Sequence, residues 1–334
     1  MEKVMSRKLI TISTIMTLMS TSIMADAPNV AADIAPIHSL VSKVMDGVGE
    51  PKLVIQSGAS PHGYRLRPSE AKALQDANLI FWMGEELTPW LDGAIDTLAS
   101  NASVTSLLDQ EGVVLHEFRE GALFEAHDHS AHDDHDDHDD HKDHDDHDDH
   151  DDHDGHDDHD DHGHGAHDPH AWLSPENAKL WLNIIASKLS VADPENAATY
   201  FTNAAAGQAE IEEMISEVSA TLKPVKGGKF VVFHDAYQYF ENDFDFYASG
   251  AISLSDASDP SPARIAKIQK RIRDEGIQCV LAEPQFKQGL VATVMEGSEA
   301  TASVIDPLGA DIKPGPKLYT QLIKNMAKTL RDCL

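Results

Sequence analysis

Histidine recurs every third residue through most of the run from His127 to His167, with aspartate filling the gaps. The run holds fifteen histidines, and residues 127–168 hold 20 Asp against one Lys, a local charge of −19 out of −31 for the whole chain. Imidazole and carboxylate at that density are metal donors. The period of three does not match a 3.6-residue helix, so no fixed face is presented. Nothing in the run is apolar enough to offset the entropy of ordering it, which predicts a disordered insertion. With all fifteen imidazoles protonated the charge falls to near −4, a change centred around pH ~6.5. Protonation also removes the donors, so metal capture by the tract is expected to fail in acid. The plainer alternative is a solvated acidic linker. The tract ends at Asp168-Pro169-His170-Ala171-Trp172, where sequence that can fold resumes.

Three histidines outside the tract stand at comparable places. His62 follows a predicted strand, His170 precedes a predicted helix, and His234 ends a predicted strand. Ligand crevices in open α/β sheets lie at the carboxyl ends of strands. Three neutral imidazoles meeting there make a fitting shell for Zn(II), at about 2.0–2.1 Å each. A single such histidine is more often an ordinary polar residue; the weight comes from three of them beside a histidine-rich tract. Asp306 and Glu283 also follow buried strands. Either can coordinate directly or orient a histidine by accepting its other N–H, and water is the third option for a fourth ligand. His38 and His116 read as structural or surface residues.

The elements that must position these groups alternate strand and helix. Val30 to Ala35, Lys52 to Gln56, Leu79 to Met83 and Val104 to Leu107 are predicted strands, and the run Leu-Ile-Phe-Trp-Met marks one buried on both faces. Helices are expected over 36–46 and from Pro68 to Asn78. Ser174-Pro175-Glu176 opens another helix. A long one begins at Asp193-Pro194 and stops at Pro224, about 29 residues and roughly 43 Å. The pattern then repeats: strands over 229–233, 246–251, 279–282 and 303–305, a helix from Ser261-Pro262 to Asp274, and a closing helix from Tyr319. The expected fold is α/β, with two lobes of mostly parallel sheets joined by a long rigid helix. The expected divisions are a leader over 1–25, a first lobe over 26–173 containing the tract 127–167, helices over 174–224, and a second lobe over 225–334.

With 334 residues the chain can bury one large or two medium cores. Its acidity argues against a nucleic-acid partner and suits cation capture. Lys3, Arg7 and Lys8 precede an apolar run from Leu9 to Met24, and Ala25 or Ala27 offers a cleavage point. That reads as a secretory signal rather than a membrane anchor, giving a soluble periplasmic product. Cys279 and Cys333 are the two cysteines. In an oxidising compartment such a pair is expected to close a disulfide; a two-thiolate metal site is the alternative.

Five segments then carry a resemblance. They are Gly58-Ala-Ser-Pro-His62-Gly-Tyr-Arg-Leu-Arg-Pro68, His170-Ala-Trp-Leu-Ser-Pro175, Val232-Phe-His234-Asp-Ala-Tyr-Gln-Tyr-Phe240, Ala282-Glu-Pro-Gln-Phe286 and Asp306-Pro-Leu-Gly309. In this order, with the acidic histidine-rich insertion and the two late cysteines, the chain resembles the periplasmic zinc-binding proteins of high-affinity zinc uptake ABC transporters (ZnuA type, metal-binding solute-binding proteins). The resemblance implies two α/β lobes joined by a rigid helix, with a transported zinc ion between them and handover to an inner-membrane permease. It maps the family's three metal histidines onto His62, His170 and His234. Manganese-binding relatives carry glutamate at the third place, so His234 favours zinc. Some zinc members have a glutamate just before the first histidine; here Pro61 stands there. The manganese members place an aspartate near Asp306, which makes Asp306 the expected fourth ligand, with water as the other option.

No H-E-x-x-H and no nucleophile paired with a base is evident, so an enzyme is not expected. The function read from the sequence is a monomeric binding protein for imported zinc, with the tract as a weak zinc collector or sensor. A periplasmic zinc buffer or chaperone, or a binding protein for manganese, nickel or copper, are the alternatives.

Overall fold

The computed structural model describes residues 27–119, 124, 167–253, 260–286 and 288–334. The leader and the body of the His/Asp tract lie outside the described residues.

Two four-stranded sheets, every pairing parallel, form the two lobes. The first contains β1 (Val30–Ala32), β2 (Lys52–Leu53), β3 (Leu79–Trp82) and β4 (Ser103–Ser106) in the order β2-β1-β3-β4. The second contains β5 (Phe230–His234), β6 (Ala251–Ser253), β7 (Cys279–Ala282) and β8 (Thr301–Val304) in the order β6-β5-β7-β8. The two orders are the same. In each the chain leaves its first strand to one side and returns on the other, so the crevice opens at the carboxyl ends of β1 and β3, and of β5 and β7. β3 and β7 are buried at every residue, as parallel strands covered on both faces must be.

The helices start where local chemistry allows. In the first lobe these are α1 (Ala35–Val44), α2 (Pro68–Gln75) and α3 (Pro89–Leu98). Proline opens α2, and Glu70 accepts the Arg67 amide at 2.7 Å. Ser174 caps α4 (Pro175–Ala192) through the Asn177 amide. Ser261 caps α7 (Pro262–Glu275), which Gly276 ends in the left-handed region. The remaining helices are α5 (Ala197–Leu222), α6 (Gln238–Phe244), α8 (Gln288–Met295) and α9 (Leu318–Cys333).

Helix α5, with 26 residues, is about 39 Å long. It is shorter than the sequence signals imply because the proline-bearing turns 194–196 and 223–225 are 3-10 rather than α. Its buried face runs through Tyr200, Ala204, Gly207, Ile211, Met214, Val218 and Leu222. It packs against α1 of the first lobe, α9 of the second, and α4. One continuous core therefore includes strands of both sheets and these four helices, while a smaller core lies under α7 and α8. Two lobes sharing one close-packed core cannot swing widely without exposing it.

The strand expected over 246–251 is shifted. Asp245 takes φ 49 and the Phe246 amide returns to the Glu241 carbonyl, so the chain turns first and β6 begins at Ala251. Helix α3 is not among the expected helices although Thr88-Pro89 is a start signal of the same kind as Ser174-Pro175, while α6 and α8 carry no strong boundary signal in the sequence. The Cys279–Cys333 disulfide is formed, tying buried β7 to the end of α9.

Candidate metal centre

His234 is the last residue of β5 and Glu283 the first after β7, so the switch point of the second sheet brings them together. Glu283 Oε1 lies 2.6 Å from His234 Nδ1, and both side chains are buried. A carboxylate there accepts the Nδ1 proton, which leaves the Nε2 lone pair facing the cleft.

His170 is built the same way from the other side. It precedes a 3-10 turn (Ala171–Leu173) that leads into α4, and Asp168 folds back on it. Asp168 Oδ1 accepts the His170 amide at 3.0 Å and lies 2.7 Å from His170 Nδ1. Burial pushes the Asp168 carboxyl up to about 7, opposed by the His170 amide and by the charges of Arg119, His234 and His116. His62 comes from the loop between β2 and α2, held by the Trp90 indole N–H, which donates to the Pro61 carbonyl at 2.7 Å. It is half-buried where the other two are buried, so the centre is reached from the His62 side.

The three Nε2 atoms converge. His62 to His170 and His170 to His234 are both 3.4 Å, and one donor nitrogen from each residue lies within 4.8 Å of the others. Three nitrogens at about 2.05 Å from a tetrahedral ion stand about 3.3 Å apart. With Asp168 and Glu283 ionised, His170 and His234 donate their Nδ1–H groups to them, which turns two Nε2 lone pairs toward each other, an arrangement that a cation relieves. Trp172 and Phe286 wall the imidazoles, with ring centroids 5.2 Å from His170 and 5.6 Å from His234.

Asp306 does not join this group. Its Oδ1 accepts the amides of Leu308 and Gly309, both at 2.9 Å, and its Oδ2 that of Ala310. The carboxylate closes its own turn, and the Trp172 indole pins that turn by donating to the Pro307 carbonyl at 2.8 Å. Of the two carboxylates singled out in the sequence, Glu283 supports a histidine and Asp306 shapes a loop. His38 is buried in α1 with Nε2 3.1 Å from the Pro51 carbonyl, and the His116 ring lies tilted against Tyr239 with centroids 4.7 Å apart. Neither belongs to the cluster.

Sequence reasoning missed Asp168 as a partner of His170, although it stands two residues before it. It also missed Arg119, whose guanidinium lies between Asp235 and Glu241. Burial raises both carboxyls, and the Arg119 charge offsets only part of that rise. No local pattern marks an arginine whose partners lie more than a hundred residues away. The roots of the tract meet beside it: Glu117 and His167 form an antiparallel bridge, and the Asp168 amide donates to the His116 carbonyl at 2.8 Å.

Two parallel α/β lobes on a shared helical core, with three imidazoles converging between them, define a two-lobed metal-binding solute-binding protein. The model of the family described as zinc-uptake complex component A, periplasmic (ZnuA) matches residues 30–333. The high-affinity zinc uptake system protein ZnuA of Brucella abortus (strain 2308) is 51% identical over 314 residues, covering 94% of each chain. That of Paracoccus denitrificans is 47% identical over 311 residues, 93% of each. A crystal structure of ZnuA superposes with a TM-score of 0.70 at 21% identity, covering 92% of this chain and 99% of that one. The solute-binding protein FpvC of Pseudomonas aeruginosa, in complex with Mn2+, gives 0.69 at 16% identity over 92% and 97%. The chain belongs to the ZnuA family of periplasmic zinc-uptake components. At such low identity the structural matches speak for the fold alone.

Proposed function

We propose that this protein captures Zn(II) from the periplasm in the cleft between its lobes and delivers it to the permease of a zinc ABC transporter. His62, His170 and His234 hold the ion through Nε2, and Asp168 and Glu283 hold two of those imidazoles in the ligating tautomer. The supporting observation is the pair of 3.4 Å Nε2–Nε2 edges, matched to a small tetrahedral ion. A water on the open His62 side completes the shell, because Asp306 already accepts three amides. An all-imidazole set with no carboxylate donor favours zinc over manganese. The ion is cargo rather than a catalyst, and the protein acts as an exported monomer after loss of residues 1–25. The tract, rooted next to the centre, adds weak zinc sites that raise the local supply.

Native mass spectrometry of the metal-free full chain, with zinc and manganese in competition, tests this. One tightly held zinc that displaces manganese is expected, and the His234→Ala variant should lose it. A tight zinc that survives His234→Ala would refute the assignment.

A further inference from the structure

Arg119 reaches from the segment leading out of the first lobe and grips the second. Its Nε donates to Asp235 Oδ1 and Oδ2 at 3.0 and 3.1 Å. Nη1 donates to Glu241 Oε2 at 2.6 Å, and Nη2 to Glu241 Oε1 at 3.4 Å and to Asp235 Oδ1. The Phe124 ring covers the guanidinium, its centroid 3.6 Å from Cζ. The acidic side chains are only 7% and 2% exposed. Asp235 directly follows His234.

The same short helix that carries Glu241 also holds the His170 side of the centre. The Tyr239 hydroxyl donates to the Asp168 carbonyl at 2.7 Å and accepts the His116 amide at 3.1 Å. The Gln238 amide, turned to satisfy both groups, donates to Asp168 Oδ2 and to the Glu117 carbonyl. The residue beside one metal histidine and the residue supporting another are thus fastened to one helix, and Arg119 ties that helix to the turn after β5.

We infer that Arg119 is a positioning residue that holds the His234 and His170 halves of the centre at ion-holding spacing and so sets how slowly zinc leaves. The inference rests on the zinc-site reading above. Asp235 and Glu241 are two buried carboxylates that repel unless a cation sits between them. A guanidinium fixes both at once through its planar fork, whereas an ammonium neutralises without fixing direction. With the fork gone, α6 and the turn after β5 lose their common register. The 3.4 Å edge between His170 and His234 then widens. A loosened site is expected to show this in dissociation more than in association.

The test uses the full chain as Arg119→Lys, as Arg119→Met, and as a neutral triple variant, Arg119→Met with Asp235→Asn and Glu241→Gln. Each is loaded with one equivalent of zinc and mixed with excess chelator. Release is followed by tryptophan fluorescence, since Trp172 lies 5.2 Å from His170. The unfolding midpoint is measured with and without zinc. Arg119→Lys should keep the metal-free midpoint near that of the parent yet release zinc about ten-fold faster, the scale of a support residue one step behind a ligand. The triple variant should recover the metal-free midpoint but not the slow release, and both should show a smaller zinc-induced rise. A purely architectural salt bridge would move the metal-free midpoint and leave release alone. Release within two-fold of the parent in both Arg119→Lys and the triple variant overturns the inference, even if Arg119→Met fails to fold. A parent that holds no slowly released zinc would instead overturn the site itself.

Discussion

Glu283→Gln isolates the contribution of charge behind a metal histidine. The Glu283 side chain is fully buried and lies 2.6 Å from His234 Nδ1. Glutamine keeps a carbonyl acceptor, so the hydrogen bond survives, and Gln285, which donates to Oε2 at 2.9 Å, can turn its own oxygen to the new amide. The negative charge that raises the basicity of His234 is lost. Removing such a partner costs about 10- to 100-fold in metal affinity, or about 1.4–2.7 kcal/mol. At saturating zinc the stabilisation conferred by the metal should shrink by the same amount. The metal-free protein sheds a buried charge, so its midpoint should hold or rise. The two effects have opposite signs, which separates ligand tuning from general damage. The assay is competition against a chelator of matched affinity at pH 7.5, with thermal unfolding of both forms. Zinc affinity within three-fold of the parent, or a metal-free midpoint that falls as far as the loaded one, would refute the argument that Glu283 acts through His234.

Removing residues 127–167 should abolish the weak zinc equivalents while sparing the tight one; in the full chain the weak ones should vanish between pH 7.5 and 5 as histidines with pKa about 6.5 protonate, read by equilibrium dialysis. Cys333→Ser should destabilise the protein by roughly 4 kcal/mol in denaturant titration, the loop-entropy value for a separation of 54 residues. Gly207→Leu should lose about 1–3 kcal/mol, since a Cβ there would already stand 2.9 Å from Leu182 Cδ1 and 3.1 Å from Lys43 Cγ. A stability equal to the parent would mean that α5 is not closely seated between α1 and α4.

Much of the frame was legible because its signals are local. Leu79–Trp82 reads as a doubly covered strand from apolar composition alone, and Ser174-Pro175 and Ser261-Pro262 mark helix starts because capping involves only neighbouring residues. His170 and His234 could be singled out by type and by their place at element ends, and His62 by type and by its place in the loop after a strand. Helix α6 was not legible: its seven residues, Gln238–Phe244, have no capping side chain and are held by contacts from the far lobe. Asp306 was expected as a ligand because manganese-binding members place an aspartate near it; here it lies outside the histidine group, and its oxygens accept amides two to four residues on.

By itself the sequence determined most of the element types, the parallel α/β class and the three imidazoles that the fold brings together. These depend on side-chain chemistry and short-range backbone preference, which a chain carries wherever it folds. Only the tertiary structure decided which carboxylates stand behind which histidines, that Nε2 rather than Nδ1 faces the cleft, and that Arg119 joins the roots of the tract to the turn after His234. Those facts are distances between residues 2 to 122 positions apart in the chain, set by how two sheets seat on one helical core.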